Sequence, residues 1–170
     1  MDSYVQLAKQ SIESWVRNGE KITLPKDLPK ETLEEEAGTF VSIHKGDELR
    51  GCIGTFLPTQ DSIAKEIVEN AISACSHDPR FSPIRTEELA NLEIKVDILS
   101  EPEPINSPGA IDPKVHGVIV KSKDGRCGLL LPDLPGIESS LEQIAIAKEK
   151  AGISPKEKAY LFRFTVDRHE

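Results

Sequence analysis

The chain has no long hydrophobic run. Its uninterrupted apolar stretches are only a few residues long, such as Leu129-Leu130-Leu131. A membrane-spanning helix needs about 20 apolar residues in a row, so none is expected. Cysteine is scarce: Cys52, Cys75 and Cys127 are widely spaced and odd in number. No Cys-x-x-Cys and no Cys/His pair at ligand spacing occurs, which argues against a disulfide framework and a structural metal. Positive charge is short too. With a formal net charge of −8, general nucleic-acid binding and docking on an anionic membrane are not expected, because neutralising phosphates needs a basic surface. Walker loops, dinucleotide fingerprints and metal-ligand spacings are missing, so neither a cofactor nor a metal is expected. Met1-Asp2-Ser3-Tyr4 lacks the basic-then-apolar order of a secretory signal, which makes the cytoplasm the expected location.

What is present suits one globular domain over residues 1–170, with 38% hydrophobic and 29% charged residues and enough length to bury a core. Val5, Ala8, Ile12, Trp15 and Val16 form one stripe of a helix from Asp2 to Asn18, with Leu7 off the stripe, Asp2 or Ser3 as cap and Gly19 as stop. Residues 21–38, with Pro25, Pro29 and Glu34-Glu35-Glu36, read as an exposed connection. A second helix is expected from Asp61 to Ser76, with Cys75 continuing its apolar stripe. Thr86 to Leu89 reads as one capped turn. Leu92, Ile94, Val96 and Ile98 alternate as a half-exposed strand. Residues 101–113, holding four prolines, read as irregular. A hairpin follows over 117–131, then a helix from Glu138 to Ala151 and a last strand from Ala159 to Val166. Mixed helices with two hairpins make the fold class α+β, helices laid on a largely antiparallel sheet.

Thr39 to Gly54 reads as a hairpin whose register carries consequences. Val41 and Ile43 alternate on one strand, Leu49 and Ile53 on the other, and all four are expected to face the core. A two-residue loop, Gly46-Asp47, would set Val41 and Ile43 beside Cys52 and Arg50 and split the apolar set. A three-residue loop, Lys45-Gly46-Asp47, pairs Ile43 with Leu49 and Val41 with Gly51, and is the expected form. Phe40, Ser42 and His44 then lie opposite Cys52, Arg50 and Glu48 on a polar face. Gly51 and Gly54 leave room for another backbone or a ligand.

Leu49-Arg50-Gly51-Cys52-Ile53-Gly54 is the stretch with the most chemistry. Arg50 and Cys52 are two apart on a strand, so both leave one face, roughly 6–7 Å apart at the backbone. A neighbouring guanidinium favours a thiolate, which makes Cys52 a candidate nucleophile. The alternative is a small buried residue beside an Arg50 held in a structural ion pair. A nucleophile needs a base within reach, and His44, His77 and His116 are each open as that base or as plain surface residues. Asp78 and Arg80, in the stiff loop Asp78-Pro79-Arg80-Phe81-Ser82-Pro83, form either a functional pair beside a pocket or a turn cap and a carbonyl clamp. Glu88 is an acid/base candidate or a helix-start carboxylate.

These segments resemble the AMMECR-one domain family, whose prokaryotic members are called protein A of the AmmeMemoRadiSam system. The likeness rests on Leu49–Gly54, on Asp78–Pro83 with Glu88-Leu89, and on His116-Gly117-Val118, Gly128–Pro132 and Lys150-Ala151-Gly152 in the same order. It runs over nearly the whole chain, from Val5 to Val166. The resemblance implies an α+β fold with a larger sheet-and-helix part and a smaller subdomain. It implies Memo-like and radical SAM pathway partners and carries no assigned activity. The family motif's arginine and cysteine fall on Arg50 and Cys52, and its loop arginine on Arg80. Cys75 and Cys127 stand where the family pattern requires no cysteine. The expected site is a groove for a partner protein or an anionic small molecule around Arg50, Cys52 and Arg80, with Gly51, Gly54, Asp78, Phe81 and Glu88. The alternative is an enzyme or modification carrier acting through Cys52.

Overall fold

In the computed structural model, which describes residues 1–170, the strands are β1 (Thr39–Lys45), β2 (Glu48–Thr55), β3 (Leu92–Leu99), β4 (Glu103–Ile105), β5 (Gly117–Lys121), β6 (Cys127–Leu130), β7 (Tyr160–Phe164) and β8 (Val166–His169). The α-helices are α1 (Ser3–Asn18), α2 (Lys30–Glu34), α3 (Ile63–Ser76) and α4 (Ser140–Lys150). The α+β class holds, with two four-stranded sheets in place of the one expected: β2-β1-β3-β8 and β4-β7-β5-β6. The chain divides into two units, Met1–Leu99 with Asp167–Glu170, and Ser100–Val166. No helix is long and apolar enough to cross a membrane.

In the first unit, Asp2 caps α1 by accepting from the backbone N–H groups of Tyr4 and Val5, and Gly19 ends it at φ 68°, a left-handed backbone that suits glycine. Ser62 caps α3 through the Lys65 amide. Val5, Leu7, Ala8 and Ile12 of α1 join Ile67, Val68, Ala71 and Cys75 of α3 and Val41, Ile43, Ile94 and Val96 of the sheet in one core. Leu7, off the expected stripe, is buried because residues 21–38 are only in part an exposed connection: Glu34-Glu35-Glu36 are exposed as expected, but apolar positions turn inward. Ile22, Leu24, Leu28 and Ala37 pack on the core, Leu7 lines a crevice with Pro25 and Leu28, and α2 buries Thr32.

The first hairpin corrects the expected register. Its loop has two residues, with Lys45 opposite Glu48, and a bulge between Ile43 and His44 shifts the pairing so that Ile43 meets Gly51, Ser42 meets Cys52 and Val41 meets Ile53. Gly46 sits at φ 59° in the first loop position, as a type II′ turn requires. The bulge restores the parity that a two-residue loop alone would break, so one extra residue does the work assigned to an odd loop. Its cost is Leu49, which pairs with His44 and is exposed instead of facing the core.

Glu66 of α3 is fully buried without a cation beside it. Its carboxylate accepts from the hydroxyls of Thr55 and Thr59 and from the amides of Thr59 and Gln60. Those bonds outweigh the desolvation of the charge and hold its pKa below the usual carboxylate range.

In the second unit, Ile111, Val118, Val120, Leu130, Ile144, Ala147 and Ile153 form a separate core. Two expectations change here. Residues 103–105 form a strand, with Pro104 opposite Phe162, tolerated because β4 is an edge strand. The single last strand expected over 159–166 is two, since β7 lies in the second sheet and β8 in the first. The alternation Tyr160, Phe162, Phe164, Val166 runs across the gap between them, so it carries no sign of the break.

Candidate functional site

The bulge and the edge position of β2 together shape the site, all of it within the first unit. Cys52 lies opposite Ser42, and Cys52 Sγ and Ser42 Oγ are 3.3 Å apart, the close side-chain approach of a pair that exchanges no backbone hydrogen bonds. The Cys52 peptide therefore points away from β1, off the sheet edge. There the loop after α3 meets it. The Cys52 N–H donates to Asp78 Oδ2 at 3.0 Å, and Arg80 Nη2 donates to the Cys52 carbonyl at 3.1 Å. Asp78 and Arg80 are themselves joined, Nε to Oδ1 at 3.1 Å and Nη2 to Oδ2 at 2.8 Å. The ion pair takes the place of one peptide of a neighbouring strand and closes an edge that would otherwise be a template for pairing.

Arg50, at the bulge, is clamped from all sides. Nε and Nη2 donate to the two oxygens of Glu88 at 3.0 and 3.1 Å, Nη1 donates to the Ser82 carbonyl at 2.8 Å, and Nη2 also to that of Pro83 at 3.3 Å. Glu88 Oε2 further accepts from the Arg85 amide, capping the 3-10 turn Thr86–Asn91, and Lys45 Nζ stands 3.7 Å from Oε1. The loop is tied to α3 by the Ile84 N–H on the Cys75 carbonyl.

The electrostatics follow from these bonds. Arg50's hydrogen bonds, with the Arg85 amide, hold Glu88 down at about 2. Arg80's hydrogen bonds, with the Cys52 and Arg80 amides, hold Asp78 down at about 2. Cys52 goes the other way: burial raises its thiol above the ordinary range, with Asp97 and Asp78 adding to the rise, against opposing pulls from Ser42 and Arg80. None of the four histidines is hydrogen-bonded to Cys52. His77 bonds to Ser76, His116 receives the Asp112 amide and His169 pairs with Asp2. His44 shares the face of Ser42 but stands opposite Leu49. No three His, Cys, Asp or Glu side chains gather in a group that could hold a metal.

Around this framework Arg50, Arg80, Phe81, Ser82, Pro83, Arg85 and Glu88 line an open, shallow depression of about 840 Å³. Arg80 lies over the Phe81 ring, 5.3 Å from its centre, within cation–π range. Cys52 is not among the lining residues; it connects to the depression through Asp78 and Arg80.

A family model described as AMMECR1 matches residues 5–169. The chain belongs to the AMMECR1 family. A Thermotoga maritima protein is 47% identical over 98% of this chain and 97% of its own length. A Clostridium acetobutylicum protein is 42% identical over 99% of this chain, which spans only 36% of that longer relative. The crystal structure of an uncharacterized Pyrococcus horikoshii protein superposes at a TM-score of 0.89, with 33% identity, covering 97% of this chain and 88% of that one.

Of the residues the sequence singled out, Arg50, Arg80, Phe81 and Glu88 meet at the depression, and Asp78 and Cys52 stand behind it. The glycines serve packing. A Cβ on Gly51 would lie 2.2 Å from the Ala74 carbonyl oxygen of α3, and one on Gly54 would meet the Phe40 ring. Arg85 and Lys45 were not among the expected site residues, and Ser82 and Pro83 entered only as parts of the Asp78–Pro83 loop. Arg85 had a signal, since it stands three residues before Glu88 at a helix start, the spacing of a capping box; the carbonyls and Lys45 had none.

Proposed function

We infer that the protein is a binding or accessory component of the cytoplasm, engaging a partner protein or an anionic ligand through the depression around Arg50 and Arg80. The Memo-like and radical SAM proteins implied by the family resemblance are the partners we propose. The observation that carries this reading is the arginine-lined, open depression beside a thiol that burial keeps protonated. The lengths of the relatives support it as well: a stretch matching this whole chain makes up most of the Thermotoga protein and about a third of the Clostridium one, as suits a module that works joined to others. The pull of Arg80 on the Cys52 thiol is what favours the alternative, an enzyme or carrier using Cys52.

Site-resolved iodoacetamide labelling of the native chain separates the two. The thiolate is the reacting form, so Cys52 is expected to label more slowly at pH 7 than in the urea-unfolded chain, with its rate still rising above pH 9, beyond the free-thiol pKa of about 8.5. Native labelling faster than in the unfolded chain at pH 7 would overturn the accessory reading and put the nucleophile in its place.

A further inference from the structure

The three arginines of the depression are not equivalent. Arg50 spends Nε, Nη1 and Nη2 on Glu88, Ser82 and Pro83 and its side chain is 16% exposed. It has little left to offer a ligand. Arg80 spends Nε and Nη2 on Asp78 and the Cys52 carbonyl, but its Nη1 makes no bond and the side chain is 56% exposed. Arg85 makes no side-chain hydrogen bond. It stands 3.9 Å from Glu87, with both side chains more than two-thirds exposed, a pair that solvent screens heavily.

Charge and shape select what would fit. Of the residues that line the depression, Arg50, Arg80 and Arg85 are cationic and Glu88 alone is anionic, a positive lining on a chain of net charge −8. Ionic screening acts over about 8 Å in physiological salt, so a bound anion feels this local surplus more than the distant negative charge. The depression is wide and open, whereas a small-molecule site encloses most of its ligand. A ligand of larger extent, anchored by carboxylates along its length, suits the surface better. Its floor is pre-formed, since Pro79, Pro83 and the Asp78 turn fix the loop (Arg80 N–H to Asp78 Oδ1, 3.1 Å).

We propose that the depression receives an acidic, extended segment of a partner protein, held by the Arg85 guanidinium and the free Nη1 edge of Arg80, with Arg50 and Glu88 as positioning residues. This rests on the reading of the depression as a binding face and names what binds there. Carboxylates of such a segment would accept from both guanidinium groups in the fork geometry that arginine offers.

The test uses the intact chain and a fluorescein-labelled hexaglutamate peptide, followed by anisotropy at low and at physiological salt. Binding that weakens with salt is expected. Arg85→Glu is expected to weaken it about tenfold or more, as reversing a charge in a complementary interface does. Lys26→Glu, the same charge change at an exposed position elsewhere, is expected to leave affinity within about twofold. Because the Arg85 side chain makes no hydrogen bond and its one ion pair, with Glu87, is exposed and screened, a nearly unchanged melting curve should accompany Arg85→Glu. Three results would overturn the proposal: no peptide binding at low salt, equal loss in Lys26→Glu, or Arg85-dependent binding of inorganic phosphate without binding of the peptide. The last would make the ligand a small anion. None of these is read by the Cys52 labelling rates, so the two proposals fail separately.

Discussion

Gly51→Ala is expected to lower the melting temperature by about 10 °C. The added Cβ would lie 2.2 Å from the Ala74 carbonyl oxygen, and that oxygen belongs to the backbone of α3, packed in the core through Ala71, Ala74 and Cys75. A side chain in the way can rotate, but a helix carbonyl moves only with its helix. The cost is about 3 kcal/mol, the upper part of the range for overpacking. At roughly 2–4 °C per kcal/mol for a chain of this size, that gives the expected shift. Gly54→Ala is the control. Its obstacle is the Phe40 ring, a half-buried side chain that can shift where a helix carbonyl cannot, so about 1 kcal/mol is expected. Thermal unfolding followed by circular dichroism measures both. If Gly51→Ala melts no lower than Gly54→Ala, close packing of α3 on β2 is not why position 51 is glycine. The second unit uses the same device, since a Cβ on Gly128 of β6 would lie 2.0 Å from the Ala147 carbonyl oxygen of α4. In both, a glycine in the second strand of a hairpin lets the next α-helix cross at backbone distance.

That device shows what the sequence could and could not reveal. Periodicity placed α1, α3, β3 and both hairpins to within a few residues, because each buries one stripe or one face against a core. It identified Gly51 as a point of close approach but could not name the visitor, since Ala74 is 23 positions away and only the fold brings it there. The bulge at Arg50 was hidden for a different reason. An odd loop and an even loop with a bulge put Val41, Ile43, Gly51 and Ile53 on the same face, so the apolar pattern fits both. The site was half legible. Residue types left Asp78 and Arg80 open as a functional pair beside a pocket or as a turn cap and a carbonyl clamp, and the bonds of the cap and the clamp are present. That the carbonyl is that of Cys52, at the edge of the sheet, depends on strand order, which local pattern does not encode. The polar row expected around Cys52 came down to one partner, Ser42, once the register was fixed.

Acid is expected to remove much of the protein's stability between about pH 5 and pH 2, and Glu88→Gln to remove its own share of that loss. Glu88 and Asp78 are each held down at about 2, first by the hydrogen bonds of Arg50 and Arg80 respectively, against about 4.3 and 3.9 in the unfolded chain. A carboxylate whose pKa is lower in the folded state stabilises the fold fully above its unfolded pKa and loses that contribution as pH falls through the folded value. Two pKa units correspond to about 3 kcal/mol per group. Both carboxylates are at least nine-tenths buried, so solvent screens these contributions little. At pH 7, Glu88→Gln leaves the guanidinium of Arg50 largely buried with only the carbonyls of Ser82 and Pro83 as strong partners, and about 3 kcal/mol of destabilisation is expected. Near pH 2 the wild-type carboxylate is itself taking up a proton, so the gap between wild type and variant should narrow to about 1 kcal/mol. Urea unfolding at pH 7, 5, 3 and 2 gives that gap directly. A deficit of the same size at every pH would mean that Glu88 matters for its shape and its bond to the Arg85 amide, and that the charge held against Arg50 contributes nothing to the fold.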